Sequence, residues 1–254
     1  MLILSNIQVS YEGSRILRGV NLTVAPGEVV CLMGRNGVGK STTLKAITGL
    51  IKLDSGSIKL GEFELGGTRP ETRARRGLGY VPQGRDIFPN LTVWENLRLG
   101  AVAQGRKLNG EVDRVFQLFP VLKDMTQRKG GVLSGGQQQQ LAIGRALLTN
   151  PRCLLLDEPT EGIQPNIIDQ IGATIKKLRA HGLGEDESKR LEEIGEAIQQ
   201  LRKEGKIGIL LVEQNLEFGI EVGNRFYIMD RGSIVAQGTI SELNDELIKQ
   251  HLTV

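Results

Sequence analysis

Long hydrophobic runs are missing from this sequence. No apolar stretch approaches the roughly 18 residues a membrane-crossing helix requires, and the first residues do not read as a secretory leader. The expectation is a chain that is soluble when isolated, works inside the cell and reaches a membrane only through a partner. Cysteine is equally scarce. Cys31 and Cys153 are the two present, each inside an apolar run, which argues against a disulfide framework and predicts buried, reduced thiols. Histidine is limited to His181 and His251; they stand far apart, suggest no metal constellation and are expected at the solvent. An excess of one charge is also lacking. Thirty-two Lys and Arg against 29 Asp and Glu leave a net +3, interspersed along the chain, which gives no argument for nucleic acid as a partner.

What is present is glycine, 33 residues in a chain of 254, concentrated where chemistry is expected. Gly34-Arg35-Asn36-Gly37-Val38-Gly39-Lys40-Ser41 has the G-x-x-x-x-G-K-[ST] spacing of a phosphate-binding loop. Glycines leave backbone N–H groups free to surround phosphate oxygens, and a following helix points its positive end at the same anion. Lys40 is placed to reach the β- and γ-phosphates of a nucleotide, and Ser41 to hold Mg²⁺. A second segment, Leu133-Ser134-Gly135-Gly136-Gln137, is another Ser-Gly-Gly turn opening a helix. Two separate half-sites for one γ-phosphate suggest that two chains share each nucleotide.

The patterning supplies the context these motifs need. Leu2 to Val9 and Val20 to Val24 alternate as half-buried antiparallel strands do. Glu28 to Met33 is a near-continuous apolar run into the phosphate loop, and Ser41 to Thr48 reads as a helix stopped by Gly49. Ser57–Leu60 and Glu62–Leu65 suggest a hairpin, and Leu78–Pro82 a short buried strand ending at Gln83. The pattern turns helical over Thr92–Ala103, Glu111–Phe119 and Ser134–Leu148, with Ser134 a natural N-cap. Buried parallel strands return at Cys153–Leu156, Ile207–Val212 and Phe226–Met229. At the end of the first of these, Asp157 and Glu158 lie where ligands sit in an open α/β sheet. Asp157 is placed for a Mg²⁺ shell and Glu158 for polarising a water that attacks the γ-phosphate.

Taken in order over essentially the whole chain, these residues resemble the ATP-binding subunit of an ABC transporter. The resemblance implies an α/β fold: a P-loop NTPase core with a mixed parallel sheet, an N-terminal antiparallel β-subdomain and an inserted helical subdomain. It implies one domain over 1–254, with the nucleotide-binding core at 1–83 and 151–254 and the helical subdomain at 84–150; an extra helical insertion at about 181–205 departs from the family pattern. The implied cofactors are ATP and Mg²⁺. The nucleotide would be held by Gly34, Asn36, Gly37, Gly39, Lys40, Ser41 and Thr42, by Tyr11 stacked on adenine, and by Ser134, Gly135, Gly136 and Gln137 of the second chain. The metal shell would be Ser41, Gln83 and Asp157, and catalysis would fall to Glu158, Gln214, Lys40 and Gln83. The implied partners are a second ATPase subunit, a paralogue or a second copy of this chain, and two transmembrane permease subunits. No nucleic acid and no direct contact with the transported solute are implied, and the place of work would be the cytoplasmic face of the inner membrane.

Within that family, Tyr80–Phe88, Leu133–Leu141 and Asp157–Pro165 look like the branched-chain amino-acid and urea importer branch. The Gln137–Gln140 run and Thr160–Pro165 look most like the urea type. Departures are also visible. Gln214 stands where most members carry a histidine, and Gln164 where most carry an aspartate, which opens the alternative of a non-hydrolysing regulatory subunit. An ABC protein acting on DNA or translation is disfavoured by the single cassette and the lack of a long coiled coil. The segment from Pro165 to Ile207 is longer than usual, and Ile171–Arg179 echoes Ile194–Arg202 as a local duplication, expected to fold back as a helical hairpin at His181–Gly184 that is a surface elaboration or, alternatively, a docking surface for a partner or regulator.

Overall fold

The computed structural model describes residues 1–108, 110–161 and 185–252. Strands β1 (Leu2–Tyr11) and β2 (Ser14–Val24) form an antiparallel hairpin. β2 extends beyond its alternating half because Ser14 to Arg18 continue the ladder opposite Gln8 to Tyr11. Then come β3 (Val29–Met33), α1 (Lys40–Thr48), β4 (Ser55–Leu60), β5 (Phe63–Glu64), α2 (Pro70–Arg75) and β6 (Leu78–Val81). The helical stretch holds α3 (Val93–Val102), α4 (Glu111–Leu118), α5 (Pro120–Asp124) and α6 (Gly135–Leu147). The chain returns through β7 (Cys153–Asp157), α7 (Glu185–Glu204), β8 (Gly208–Val212), α8 (Leu216–Val222), β9 (Arg225–Asp230), β10 (Ser233–Thr239) and α9 (Asp245–His251).

One sheet is antiparallel in the order β2-β1-β4-β5; the other runs β10-β9-β3-β8-β7-β6, parallel except at the β10 edge. The parallel strands are uninterrupted apolar runs because both of their faces are covered. Side chains alternate across the sheet. Cys31, Met33, Leu154, Leu156, Ile209 and Leu211 enter a core shared with α3–α8. Val30, Leu32, Cys153, Leu155, Leu210 and Val212 enter a second core under the antiparallel sheet and α1. Both cysteines are free and fully buried, and burial pushes each thiol up to about 12.

The helix that follows the phosphate loop is fixed at its far end by a residue the sequence did not single out. Arg73, buried on α2, donates from Nη1 to the carbonyls of Ala46 and Ile47 at 2.6 and 2.8 Å and from Nε to Thr68 O at 3.2 Å. It thereby satisfies terminal carbonyls of α1 and sets a positive charge at the negative end of the helix. Arg73→Met is expected to cost about 2 kcal/mol of stability, seen as a lower midpoint in denaturant unfolding, because apolar volume is retained and the capping bonds are lost.

The echo at Ile194–Arg202 lies in α7, and there the structure departs from the expected surface elaboration. Ile194, Ala197, Ile198 and Leu201 are almost wholly buried. Gln140 Nε2 of α6 donates to Glu193 Oε2 at 2.6 Å, and Arg114 of α4 pairs with Glu204. This copy is therefore a core helix that ties the helical stretch to the parallel sheet. The first copy, the turn at His181–Gly184 and Gln164 lie outside the described residues. His251, expected at the solvent, is half-buried in the last turn of α9. Among the described residues no helix is long and apolar enough to cross a membrane.

Candidate functional site

The phosphate loop leaves β3 at Gly34 and enters α1 at Lys40. Gly34 has φ +148°, and a Cβ there would meet Met229 O of β9 at 2.4 Å, so the close approach of two parallel strands requires glycine. Gly37 and Gly39 are also at positive φ, 77° and 115°. No side chain caps the N-terminus of α1 and its first turn holds no acid, which leaves an anion cradle facing the sheet edge. Lys40 is buried and spans the loop, with Nζ donating to Gly34 O at 2.7 Å and Arg35 O at 2.8 Å. Burial lowers its pKa, while Glu158, Asp157 and Glu213 pull in the opposite direction.

Asp157 ends β7 one residue before the sheet edge and is nearly inaccessible. Ser41 Oγ donates to its Oδ1 across 3.5 Å. Burial, helped by the neighbouring Glu158 carboxylate, pushes the Asp157 carboxyl up to about 6, against the opposing effects of Ser41, Lys40 and Lys45. A divalent cation would supply the positive charge that this buried carboxylate lacks. Among the described residues no cluster of three His, Cys, Asp or Glu is arranged to hold a metal. The Asp157 carboxylate and the Ser41 hydroxyl are hard oxygen donors of the kind that fit Mg²⁺ completed by phosphate and water oxygens.

Glu158 is held at φ +48°, a left-handed conformation unusual for a residue with a side chain. Its N–H donates to Val212 O of β8 at 2.9 Å. That turn lifts the carboxylate out of the sheet to where two amides meet it. Gln214 Nε2 donates to Oε1, and Gln83 Nε2 donates to Oε2 at 3.3 Å and to Glu161 Oε1 at 2.9 Å. The structure thus brings together Gly34–Ser41, Gln83, Asp157, Glu158 and Gln214, from four separate stretches of sequence.

Three supporting residues were not legible in advance. Glu213, buried at the end of β8, accepts from the N–H groups of Gln214 and Asn215 at 2.9 and 3.1 Å and so sets the turn that presents Gln214. Burial raises its pKa, opposed by those bonds and by Thr160. Asn215 in turn caps α8 through Phe218 N. Arg85, at φ +74°, donates from Nη2 to Glu161 O at 3.0 Å, and its guanidinium lies where a Cβ on Gly135 would come within 3.1 Å. It therefore links the Gln83 loop to the Ser134–Gln137 turn. The only sequence signal for Glu213 was a carboxylate inside a buried run.

The remaining candidates lie apart from this cluster. Ser134 and Gln137 close a capping box at the start of α6, with Ser134 N–H donating to Gln137 Oε1 at 3.0 Å and Gln137 N–H to Ser134 Oγ at 3.4 Å. Among the described residues neither side chain bonds to the phosphate loop. The turn also shows why the glutamine run is not a loose polar patch: Gln139 and Gln140 are buried. Tyr11 ends β1 at the hairpin tip, 42% exposed, with its ring available for stacking.

Comparison with known proteins gives a consistent neighbourhood. The family model described as ABC transporter matches residues 17–161. The chain is 38% identical over 240 residues to the high-affinity branched-chain amino acid transport ATP-binding protein BraG of Pseudomonas aeruginosa, covering 94% of this chain and 93% of that protein. It is 35% identical over 251 residues to the lipopolysaccharide export system ATP-binding protein LptB of Escherichia coli K12, covering 96% and 93%. Among solved structures, an ATP-binding subunit of an ABC transporter superposes with TM-score 0.75 at 28% identity, covering 98% of this chain and 92% of that one. A dimeric ATP-binding cassette in a post-hydrolysis state, bound to ADP and Pi, superposes with TM-score 0.76 at 26% identity, covering 94% and 99%.

Proposed function

Because the chain belongs to the ABC transporter family, as an ATP-binding subunit that hydrolyses ATP, we propose that it energises solute import, with urea as the cargo. The observation that carries the ATPase assignment is the convergence of Lys40, Ser41, Asp157, Glu158, Gln83 and Gln214 at one sheet edge. Urea rests on Gln137–Gln140 and Thr160–Pro165. A branched-chain amino-acid cargo is the second reading, favoured by the 38% identity to BraG.

In this reading the uncapped first turn of α1 and the Lys40 ammonium hold the β- and γ-phosphates. Gly34, Asn36, Gly37, Gly39 and Thr42 shape that cradle, and Tyr11 stacks on the base. Ser41, Asp157 and Gln83 would hold Mg²⁺, which when bound supplies charge neutralisation across the phosphate oxygens. Glu158 orients the attacking water and accepts its proton. Gln83 and Gln214 hold the two carboxylate oxygens in place, and an amide at 214 senses the γ-phosphate without needing a charge. Ser134, Gly135, Gly136 and Gln137 of a second subunit complete the site, so closure of the pair depends on bound nucleotide and reopens on hydrolysis.

We infer that a membrane partner docks beside the Gln83 loop. An apolar cavity of about 550 Å³ opens beside the Gln83 loop, lined by Leu50, Leu78, Phe88, Leu99 and Val102 among others. Leu50, Phe88 and Val102 are each about half exposed, a clustering that marks interaction surfaces. Its proposed occupant is an amphipathic helix of a permease subunit. The cargo test is uptake of labelled urea and labelled leucine by the source cells with and without the gene. Loss of urea uptake, restored by the wild-type gene and not by Lys40→Ala, is expected. Selective loss of leucine uptake would move the cargo to the amino-acid reading, and unchanged uptake of both would remove import.

A further inference from the structure

A second cavity, of about 370 Å³, lies on the other side of Thr149 from the apolar one and has the opposite character. Its lining includes four arginines, Arg75, Arg76, Arg106 and Arg152, together with Phe63 and Asn150. They come from α2, the loop after α3 and the residue preceding β7, so only the fold assembles them. Like charges gathered in one concavity repel, and a protein tolerates this when an anion or a row of carboxylates answers them. Here the protein supplies little. Arg106 is paired with Glu111 at 2.7 Å and donates from Nη2 to Leu148 O at 3.0 Å. Among the described residues, no carboxylate pairs with Arg75, Arg76 or Arg152.

The arrangement is also held in place. The Arg76 guanidinium stacks over the Phe63 ring at 4.0 Å from its centroid, and that of Arg152 lies 5.8 Å from the same centroid. One ring therefore fixes two guanidiniums, a use of cation–π contact that limits their rotamer freedom. The backbone of Arg152 is clamped as well. Its N–H donates to Gly77 O at 2.7 Å, and Gly77, at φ +101°, has no room for a Cβ, which would lie 2.9 Å from Arg152 Cγ. Asn150 is held at φ +53° in the turn just before. The Arg76 and Arg152 guanidiniums are planar donors, pre-positioned and, among the described residues, unanswered by a carboxylate, in a pocket open to solvent.

We propose that this pocket is a second anion site, separate from the phosphate loop, that takes a phosphate-bearing ligand. Guanidinium forks match the paired oxygens of a phosphate, and the cavity accommodates more than one phosphoryl group. The free anion and the headgroup of an anionic lipid share this chemistry. Pyrophosphate is the probe for the first source, titrated calorimetrically into Lys40→Ala protein without Mg²⁺, so that the phosphate loop does not contribute. One saturable site is expected, weakened by about tenfold for each guanidinium removed in Arg76→Ala and Arg76→Ala/Arg152→Ala. With Lys40 intact, the same arginine variants are expected to hydrolyse ATP at the wild-type rate, which also shows that they fold. Arg75→Ala, at an exposed position away from the Phe63 stack, provides an independent variant.

The lipid source is tested by co-sedimentation with phosphatidylglycerol vesicles and, as the neutral control, phosphatidylcholine vesicles. Arginine-dependent binding to the first alone, without pyrophosphate binding, would assign the site to a headgroup and uphold the phosphate chemistry. Absence of both interactions would overturn the proposal and leave an acidic protein segment as the occupant. Pyrophosphate binding that persists unchanged in the arginine variants would overturn it equally.

Discussion

Glu158→Gln is expected to lower MgATP turnover by about 10²–10⁴-fold while leaving ATP-driven pairing of two subunits intact. The substitution keeps the side-chain volume, and an amide oxygen at 158 still accepts a hydrogen bond where Gln214 and Gln83 now donate to the carboxylate. It removes the negative charge and the capacity to take a proton, and with one acceptor oxygen in place of two it requires either Gln83 or Gln214 to turn its amide. The left-handed backbone at this position and its bond to Val212 O are untouched. Steady-state hydrolysis measures the first effect, and size-exclusion chromatography with and without ATP measures the second. Undiminished turnover would sink the role proposed for Glu158. Loss of turnover together with loss of pairing would show that the side chain acts in binding instead.

The largest structural effect is expected at a residue that has no side chain. In Gly232→Ala a new Cβ would lie 1.9 Å from Ile16 O and 2.9 Å from its carbonyl carbon, at a φ of +82°. Neither atom is the free end of a side chain, so backbone must move. That backbone is shared by three parts of the molecule. Arg18 N of β2 donates to Gly232 O at 2.8 Å, and Gly232 N–H donates to Val38 O of the phosphate loop at 2.9 Å. The turn between β9 and β10 thus pins the antiparallel sheet to the nucleotide cradle. A loss of about 3 kcal/mol is expected from clash and backbone strain together. It would be read as a lower Tm, with ATP affinity measured below that temperature also reduced. An alanine variant with unchanged Tm and ATP affinity would show that the turn adjusts without disturbing the loop.

The positions of the two predictions show how unevenly the molecule could be read from its residues. Lys40, Ser41, Asp157 and Glu158 stand out as candidates in the sequence because their patterns lie among neighbours: a glycine-rich turn before a helix, and carboxylates ending a buried strand. The capped starts of α3 and α6 were equally local, since Thr92 with Glu95 and Ser134 with Gln137 close their own hydrogen bonds three residues apart. Helices α2, α5, α8 and α9 and strand β10 escaped notice. They are short or edge elements whose partners, such as β9 for β10, are supplied by the fold. The core placement of α7 was missed for a related reason. An amphipathic face looks the same whether it covers a surface or fills a core.

The sequence by itself determined the nucleotide chemistry, the chain order of the site and the parallel, doubly covered strands, because each rests on spacing within one element. Tertiary structure alone decided which residues support that chemistry. Glu213 sets the turn of Gln214, Arg73 closes α1, Gly232 anchors the phosphate loop, and Arg75, Arg76, Arg106 and Arg152 gather around Phe63. Each of these contacts joins side chains or backbone from separate elements. Their partners are set by how the sheets and helices pack, and no residue-to-residue spacing along the chain encodes that distance.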